Sequence, residues 1–438
     1  MAVVTNNRLI TPQVIGKLAL FDLRTRNTIV RNMSTEVTPE FTNKAQKVGA
    51  EVQIRRPYRF IVTPGLGYQP QPIADTVMPV KVDRPLQISY QADSIEATLY
   101  LREAMNIYAR PASIAMASTI NSQGAQFAAQ NTPNYAGVPG TTPSDVATFL
   151  TPNDTIRELG LPEDEDLHLV VNRRISSAYV AARSVYFSPV NEQNQSITRG
   201  HMVDATMGYI VDRDQSIYIQ QIGTFAGTPV VAAGSALQAD GGNNGTMTLT
   251  ISGFTGASGS NSLNLGDKFT INNVYSVHPQ TRQSTGRLQG FTVLGNVVDN
   301  NGTMTPVVFP AITPVNVNVP PAAGNQYANV TAAAVVGANV NIWAGTSGSP
   351  TLSSGKASVQ GLVMHEDAFA FVSVPLASPP SGKGDTIIVT QDRDPETGMW
   401  LSFIHAWDSK DRIYINRWDS LVGFGRLYAA ECAAVLAG

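Results

Sequence analysis

Only one cysteine, Cys432, occurs in the 438 residues. That scarcity excludes both a disulfide framework within the chain and a cysteine-rich zinc site. Its apolar neighbours, "LYAAECAAVLAG", lead to the expectation of a buried thiol. Charge is the second scarcity. Asp, Glu, Lys and Arg together make up 14% of the chain, against about 25% in an ordinary soluble protein. Thr, Asn, Gln, Ser and Ala take their place. A surface with few charges costs less to desolvate beneath another protein, so the composition leans toward extensive protein contacts. Net charge is −3, and no basic stripe of the kind a dedicated nucleic-acid reader carries is present. The only tight basic pairs are Arg55-Arg56, with Arg59 close by, and Arg173-Arg174. No apolar run is long enough to cross a bilayer, and the first twenty residues show neither an uninterrupted apolar core nor a cleavage signal. The expectation is a soluble protein made inside the cell, with no membrane partner.

Apolar residues reach 43%, enough for ordinary cores in two or three domains. Thr11-Pro12 reads as a helix start, with Val14, Leu18 and Phe21 at helical spacing. "EVQIRRPYRFI", from Glu51, alternates apolar and polar as a strand does. After a Pro/Gly-rich tip, "VMPVKV" and "LQISYQA" return in the same manner. Residues 45–95 thus read as an extended β-arm, with Pro57 and Pro79 pointing to exposed edges and with little chance of burial against their own chain. The strongest helical signal follows, capped by Ser94, interrupted by Pro111 and carrying Met116, Ile120 and Phe127 on one face. Beyond the loop "TPNYAGVPGTTP" lies an α/β region with "DLHLVVN" and "QSIYIQQIGTFAG" as strands and "RRISSAYVAAR" as a helix. From about Gly227 to Gly355 charged residues almost vanish. "NNGTMT" occurs there twice, at Asn243 and Asn300, and Asn-Gly between apolar and threonine-rich runs signals a hairpin, because both turn residues need positive φ. This stretch reads as a β-rich insertion, and the C-terminal part resumes the interrupted α/β region.

No catalytic constellation survives inspection. "GTSGSP" could place Ser347 as the nucleophile of a chymotrypsin-like serine protease, with His278 and Asp299 upstream in the required order. The same residues also describe an ordinary small-residue loop, and nothing near His278 suggests a supporting carboxylate. "DRDPETG" departs from a calcium loop in glycine position and lacks its closing glutamate, so a turn between strands is the better reading. "MHEDAF" puts His365, Glu366 and Asp367 on what reads as a strand, where adjacent side chains point to opposite faces. "PSGKGDT" lacks both the first glycine and the hydroxyl residue of a phosphate loop. His168, His201 and His405 are scattered. No cofactor and no metal is expected.

Several stretches together resemble coat proteins of the Salmonella phage P22 type. They are "GDKFTINNVYSVHPQTRQSTGRLQGFTV", "YARPASIAMA", "LPEDEDLHLVVN", "TPQVIGKLAL", "VGAEVQIRRPYRF" and "HEDAFAFVSVPL". Arg417, Asp419, Leu421 and Gly423 add an Arg-x-Asp-x-Leu-x-Gly pattern, with Val422 where an aromatic is frequent. The resemblance is spread over nearly the whole chain and is most specific in the insertion.

What it implies is the major capsid protein of a tailed double-stranded DNA bacteriophage, of α+β class and Hong Kong 97-like fold. The parts would be an N-terminal arm (1–44), an extended β-loop with peripheral-domain strands (45–95), and a spine helix with its following loop (96–140). The axial domain would begin at 141–226, an inserted β-barrel domain would fill 227–355, and 356–438 would complete the axial and peripheral domains. Subunits would assemble by heterologous contacts into hexamers and pentamers of an icosahedral shell. A scaffolding protein, a portal protein and non-specifically held DNA would be partners, with room for a cement protein. Assembly would take place in the host bacterial cytoplasm and the product would be the virion. Arg55, Arg56, Arg59, Arg282 and Arg287 are the candidate subunit-contact residues. The rival expectations are another self-assembling structural protein, a tail tube or surface layer, and the Ser347 protease.

Overall fold

The computed structural model describes residues 19–20, 23, 26–35, 51–55, 59–60, 62, 70, 77–93, 110–183, 202, 205–233, 245–315, 327–343, 354–376, 387–394, 397–408 and 413–438. The expected N-terminal helix start at Thr11-Pro12, the Ser94 cap, Pro57, His201 and the Ser347 loop lie outside the described residues. Two compact units divide the chain: Met1–Val52, Pro79–Asn121 and Ala370–Gly425 form the first, and Gln53–Met78, Ser122–Phe369 and Arg426–Gly438 the second.

The first unit is built on an antiparallel sheet. Its order is β1 (Glu51–Arg55), β2 (Val77–Asp93), β22 (Ile413–Arg426), β21 (Trp400–Asp408) and β20 (Ile387–Arg393), with β19 (Phe369–Val374) also paired to β22. The β2–β22 ladder runs from Lys81 opposite Phe424 to Asp93 opposite Ile413. Exposure alternates along β2 from Lys81 to Gln91, the period-two signature of a strand with one covered face. One expectation is corrected here: residues 81–93 of the supposed free arm pair with their own chain. A bulge between Val82 and Arg84 interrupts that ladder just before Pro85. Gly423 sits opposite that bulge, where a Cβ would meet the Lys81 carbonyl oxygen at 2.4 Å; the Arg-x-Asp-x-Leu-x-Gly pattern therefore needs its glycine for close approach. Trp418 packs edge-on to Phe403 at 5.3 Å. The short helix α1 (Thr28–Arg31) is tied in by Asn121, whose Oδ1 accepts from Ile29 N at 3.3 Å and whose Nδ2 donates to Arg26 O at 2.7 Å.

Asn121 belongs to α2 (Arg110–Asn131), the 22-residue helix that the sequence marks most strongly. Its described part begins at Arg110 and includes Pro111. Met116 and Ile120 are buried as their spacing predicts.

The second unit holds a seven-stranded mixed sheet. Its order is β3 (Asn134–Gly137), β23 (Ala433–Ala437), β18 (Ala357–Met364), β4 (Leu167–Val171), β6 (Tyr209–Arg213) and β5 (Ala205–Thr206), with β7 (Ile219–Gln221) also on β18. β3 falls within the stretch that reads as a loop. It becomes a strand because β23 offers a parallel partner, Ala434 opposite Asn134. Helices α3 (Val146–Glu158) and α4 (Arg173–Arg183) pack Phe149, Ile156, Ile175 and Tyr179 against Leu167, Leu169, Tyr209, Val211, Val363 and Leu436. Phe149 meets Tyr179 edge-on at 4.9 Å, and Tyr209 Oη donates to Phe149 O at 2.8 Å. The last short helix, α5 (Ala429–Cys432), precedes β23.

The insertion supplies three further sheets. One is three-stranded, from β15 (Thr303–Met304), β10 (Ile251–Phe254) and β8 (Gly227–Val231). One pairs β11 (Ser262–Leu263) with β14 (Val297–Val298). The third runs β17 (Val340–Ile342), β12 (Lys268–Val277), β13 (Ser284–Val293), β16 (Val307–Phe309) and β9 (Met247–Thr248). At the second "NNGTMT", Asn301 and Gly302 take φ of +50° and +75°, and Asn300 and Thr303 exchange backbone hydrogen bonds at 2.8 and 3.1 Å. This is the turn that Asn-Gly predicts. The first copy begins outside the described residues. At "DRDPETG", Asp394 accepts from Thr397 Oγ1 at 2.6 Å and Gly398 takes φ +65°, a turn between β20 and β21.

Phe149→Ala removes a side chain that fills the contact between α3, α4 and the mixed sheet. The unfolding free energy is expected to fall by ~3–5 kcal/mol, measured by urea denaturation followed at the aromatic signals; a loss below about 1 kcal/mol would show that this contact is not the core of the second unit.

Candidate assembly site

Among the candidate contact arginines, Arg59, Arg282 and Arg287 belong to the second unit, which shows how they are held. His278 opens the turn between β12 and β13. Its Nδ1 accepts from Gln280 N and Thr281 N at 3.2 Å each, while its backbone N donates to Gln283 O at 3.0 Å. Arg282 takes φ +59° at the tip. The imidazole is thus occupied in shaping its own turn. Asp299, its notional partner in a protease triad, accepts from Asn261 N at 2.8 Å and Gly302 N at 3.2 Å.

This turn rests near the end of α3. Gly160, at φ +105°, follows that helix, and a Cβ there would meet Pro279 Cδ at 3.4 Å. A cleft of about 410 Å³ opens beside it, lined by Arg59, Phe60, Leu159, Leu161, Pro279 and Glu431 among others. Arg59 Nη2 binds Glu431 Oε2 at 2.5 Å. Burial, and then the Arg59 guanidinium, hold Arg282 below the usual guanidinium range. Arg287 reaches α3, with Nε 2.6 Å from Glu158 Oε2, Nη2 3.7 Å from Asp154 Oδ2, and Nη1 donating to Thr155 Oγ1 at 3.3 Å. Of the five arginines, Arg59 and Arg287 therefore pair with carboxylates of their own chain. Arg55 lies in β1, but its side chain and all of Arg56 fall outside the described residues. Cys432 is half-buried on the rim of the same cleft. The thiol is thus not fully buried as expected, since Cys432 shares the lining of this cleft with Arg59 and Phe60.

The deepest polar arrangement in the unit carried no sequence signal. Lys268 is fully buried. Its Nζ donates to Ala129 O at 2.8 Å and to Thr132 O, and lies 5.8 Å from the Trp343 ring centroid. Its ladder neighbour Thr292 donates through Oγ1 to Gln130 O at 3.0 Å. Two adjacent side chains thus take three carbonyls at the C-terminal end of α2, where the helix leaves acceptors unpaired and a cation is favoured. Asp267 stands beside them, accepting from Gly223 N (3.0 Å), Asn264 N (2.8 Å), Gln220 Nε2 (3.2 Å) and Trp343 Nε1 (3.4 Å). Burial pulls the Lys268 amine down to about 7, and Asp267 opposes it; burial pushes the Asp267 carboxyl up against its four donors.

"MHEDAF" is not a continuous strand. His365 caps a 3₁₀ turn over Glu366–Ala368, its Nδ1 accepting from Asp367 N at 3.3 Å and its Nε2 3.1 Å from Glu165 Oε2. His365 Nδ1 also lies 3.7 Å from Asp367 Oδ2. Among the described residues no group of three or more His, Cys, Asp or Glu side chains is placed to hold a metal ion, and no helix is long and apolar enough to cross a membrane. These contacts support a framework rather than a reaction centre.

Residues 42–424 match the family described as "P22 coat protein - gene protein 5". The chain belongs to the P22 coat protein family. It is a major capsid protein, a virion component that joins copies of itself to form a phage shell, and its role is structural. Solved structures similar to this coat protein include Mycobacterium phage Che8 (10% identity, 94% of this chain and 90% of the other, TM-score 0.40). The asymmetric unit of the bacteriophage PhiM1 mature capsid is similar at 10% identity, over 93% and 86%, with TM-score 0.40. The capsid of the cyanophage P-SCSP1u follows at 12% identity, over 90% and 84%, with TM-score 0.37. No curated protein matches the coat protein. The assignment rests on the family match.

Because the Lys268 amine titrates lower in the folded coat protein than in the unfolded chain, the unfolded chain binds more protons from about pH 7 up to the ordinary lysine value. Unfolding free energy should therefore rise with pH across that window, with a slope approaching ~1.4 kcal/mol per pH unit. Lys268→Met should flatten the rise between about pH 7 and 9.5, below the onset of tyrosine titration, in urea denaturation series. Equal slopes in the two proteins would contradict the burial.

Proposed function

We propose that the coat protein assembles into hexamers and pentamers of an icosahedral shell that encloses double-stranded DNA. The observation that carries this reading is the family match, which spans all but the first 41 and last 14 residues. Support comes from composition: a surface short of charge loses little on being covered. Rings of five and six from one subunit require heterologous contacts whose rotation closes. In this reading 45–95 is the extended loop with peripheral-domain strands, 96–140 the spine with its loop, 227–355 the inserted barrel, and 141–226 with 356–438 the axial and peripheral domains. A scaffolding protein guides assembly in the host cytoplasm, a portal protein admits DNA, and the wall holds that DNA without reading its sequence. The absence of a basic stripe in the sequence agrees with such loose contact. No catalysis is part of this role.

The arginines take a secondary part. Arg55, Arg56, Arg59, Arg282 and Arg287 face carboxylates of a neighbouring copy, Arg59 and Arg287 in addition to the pairs they already make. Each exposed pair contributes under about 1 kcal/mol, so shell stability rests on repetition rather than on any one contact.

Electron microscopy of the coat protein expressed with and without its scaffolding protein tests this reading. Closed shells of uniform size are expected with the scaffold, and aberrant or absent shells without it; tubes or flat sheets in both preparations would favour a tail-tube or surface-layer protein instead. Arg282→Ala should lower the yield of shells per folded monomer. Unchanged yield would remove Arg282 from the interface.

A further inference from the structure

Two clusters of opposite charge in the second unit are unpaired, and strand β4 lies between them. Glu163-Asp164-Glu165-Asp166 is the longest run of charged residues in a chain with only 14% charge, and all four are exposed. The run joins α3 to the N-terminal end of β4. Met364 pairs with His168, so β18 ends at the same place and adds the exposed Glu366 and Asp367. Two cations stand against this group. Arg157 Nη2 donates to Glu165 O at 2.7 Å, and His365 Nε2 lies 3.1 Å from Glu165 Oε2. Both serve Glu165. Glu163, Asp164 and Asp166 have no side-chain partner among the described residues.

The opposite end of β4 is basic. Arg173 and Arg174 open α4, both exposed and both without a side-chain partner among the described residues. Arg213, level with Val171 on the parallel neighbour β6, is exposed at the same end. Asp214 beside it is half-buried and accepts from Ser216 N at 2.7 Å. The first turn of α4 holds no acidic residue. Two cations therefore crowd the positive end of the helix dipole, where each is unfavourable, and an anion brought there relieves both. The acidic run cannot reach that place within one copy, because the five residues of β4 hold the clusters roughly 16 Å apart.

We propose that the two ends of β4 are the two halves of one contact between copies of this chain: Glu163, Asp164 and Asp166 of one copy meet Arg173 and Arg174 of the next. The two patches are different surfaces, so the contact is heterologous. Each copy gives one patch to each of two neighbours, and the contacts run head to tail until they close. That copies join follows from the family; closure into rings of five and six rests on the reading proposed above. On a surface otherwise short of charge, opposite patches select the partner and fix its register more than they supply affinity.

Charge reversal on the full-length chain tests the contact, read as the fraction of folded chain that sediments as assemblies of any shape. Arg173→Glu with Arg174→Glu sets acid against acid and should lower that fraction about tenfold or more. Stability of the unassembled chain in urea should not fall, because the helix dipole favours the new carboxylates. Glu163→Lys, Asp164→Lys and Asp166→Lys together set base against base and should lower the fraction equally. Both sets in one chain restore opposite charges with the polarity swapped, and assembly should return to within about twofold of wild type. Assembly unchanged by either reversal would overturn the contact. A loss that the second set does not repair would also overturn it and would give the arginines to another anion, such as a nucleic-acid backbone. If a reversed chain does not fold, the neutral sets decide: Arg173→Gln with Arg174→Gln, and Glu163→Gln with Asp164→Asn and Asp166→Asn. Combined, they should lose no more than either set alone, and additive losses would overturn the proposal. The count ignores shape, so shells, tubes or sheets in the wild type decide the shell reading separately.

Discussion

A buried helix end is the constraint on which the second unit depends. The last turn of any α-helix leaves carbonyls without intrahelical partners, and α2 presents its own to the interior rather than to water. The Ala129, Gln130 and Thr132 oxygens find donors only because β12 and β13 place Lys268 and Thr292 side by side. Burying an amine is costly by several kcal/mol, so the arrangement is tenable only with its donors used. Two carbonyls and the Trp343 ring meet that need, and Asp267, held by four donors, supplies the compensating charge. A helix terminus, two strands and a loop are thereby fixed by a single set of bonds.

The economy of charge in the sequence gains meaning from where the few charges sit. Arg59 goes to Glu431, Arg417 to Asp419 at 2.7 Å, and Arg287 to Glu158 and Asp154. Each of these pairs joins parts of one chain and retains some contact with water, and each contributes modestly. Arg426, by contrast, is buried over the Phe309 ring at 4.5 Å, and burial holds its guanidinium below the usual range. A coat protein built this way keeps its stronger electrostatic commitments inside and presents a surface that is inexpensive to cover.

The sequence was legible where local chemistry decides the outcome. Asn301-Gly302 reads as a turn because only such residues accept positive φ in succession, and the Met116–Ile120 spacing identifies the covered face of α2. Gly423 was visible as part of a pattern, although its reason, the approach of Lys81, is a tertiary fact. Other features were hidden because their partners are remote. Lys268 reads as an ordinary polar start to a strand, and nothing nearby announces that carbonyls some 140 residues earlier await it. The run 134–137 reads as loop because prolines and glycines surround it, until β23 provides a ladder. The self-pairing of 81–93 was missed because its partner strand, β22, lies more than 300 residues further along the chain. Helix α3 carried a usable signal in Phe149 and Ile156, blurred by Pro152 within it.

The direct test of the central claim is a cryo-electron-microscopy reconstruction of the assembled shell at side-chain resolution, comparing Lys268 among the independent copies of the subunit. The account predicts that its amine sits on the Ala129 and Thr132 carbonyls in every copy, whatever ring the copy belongs to. Copies in which the end of α2 has moved away from β12, with Lys268 turned to solvent, would contradict it.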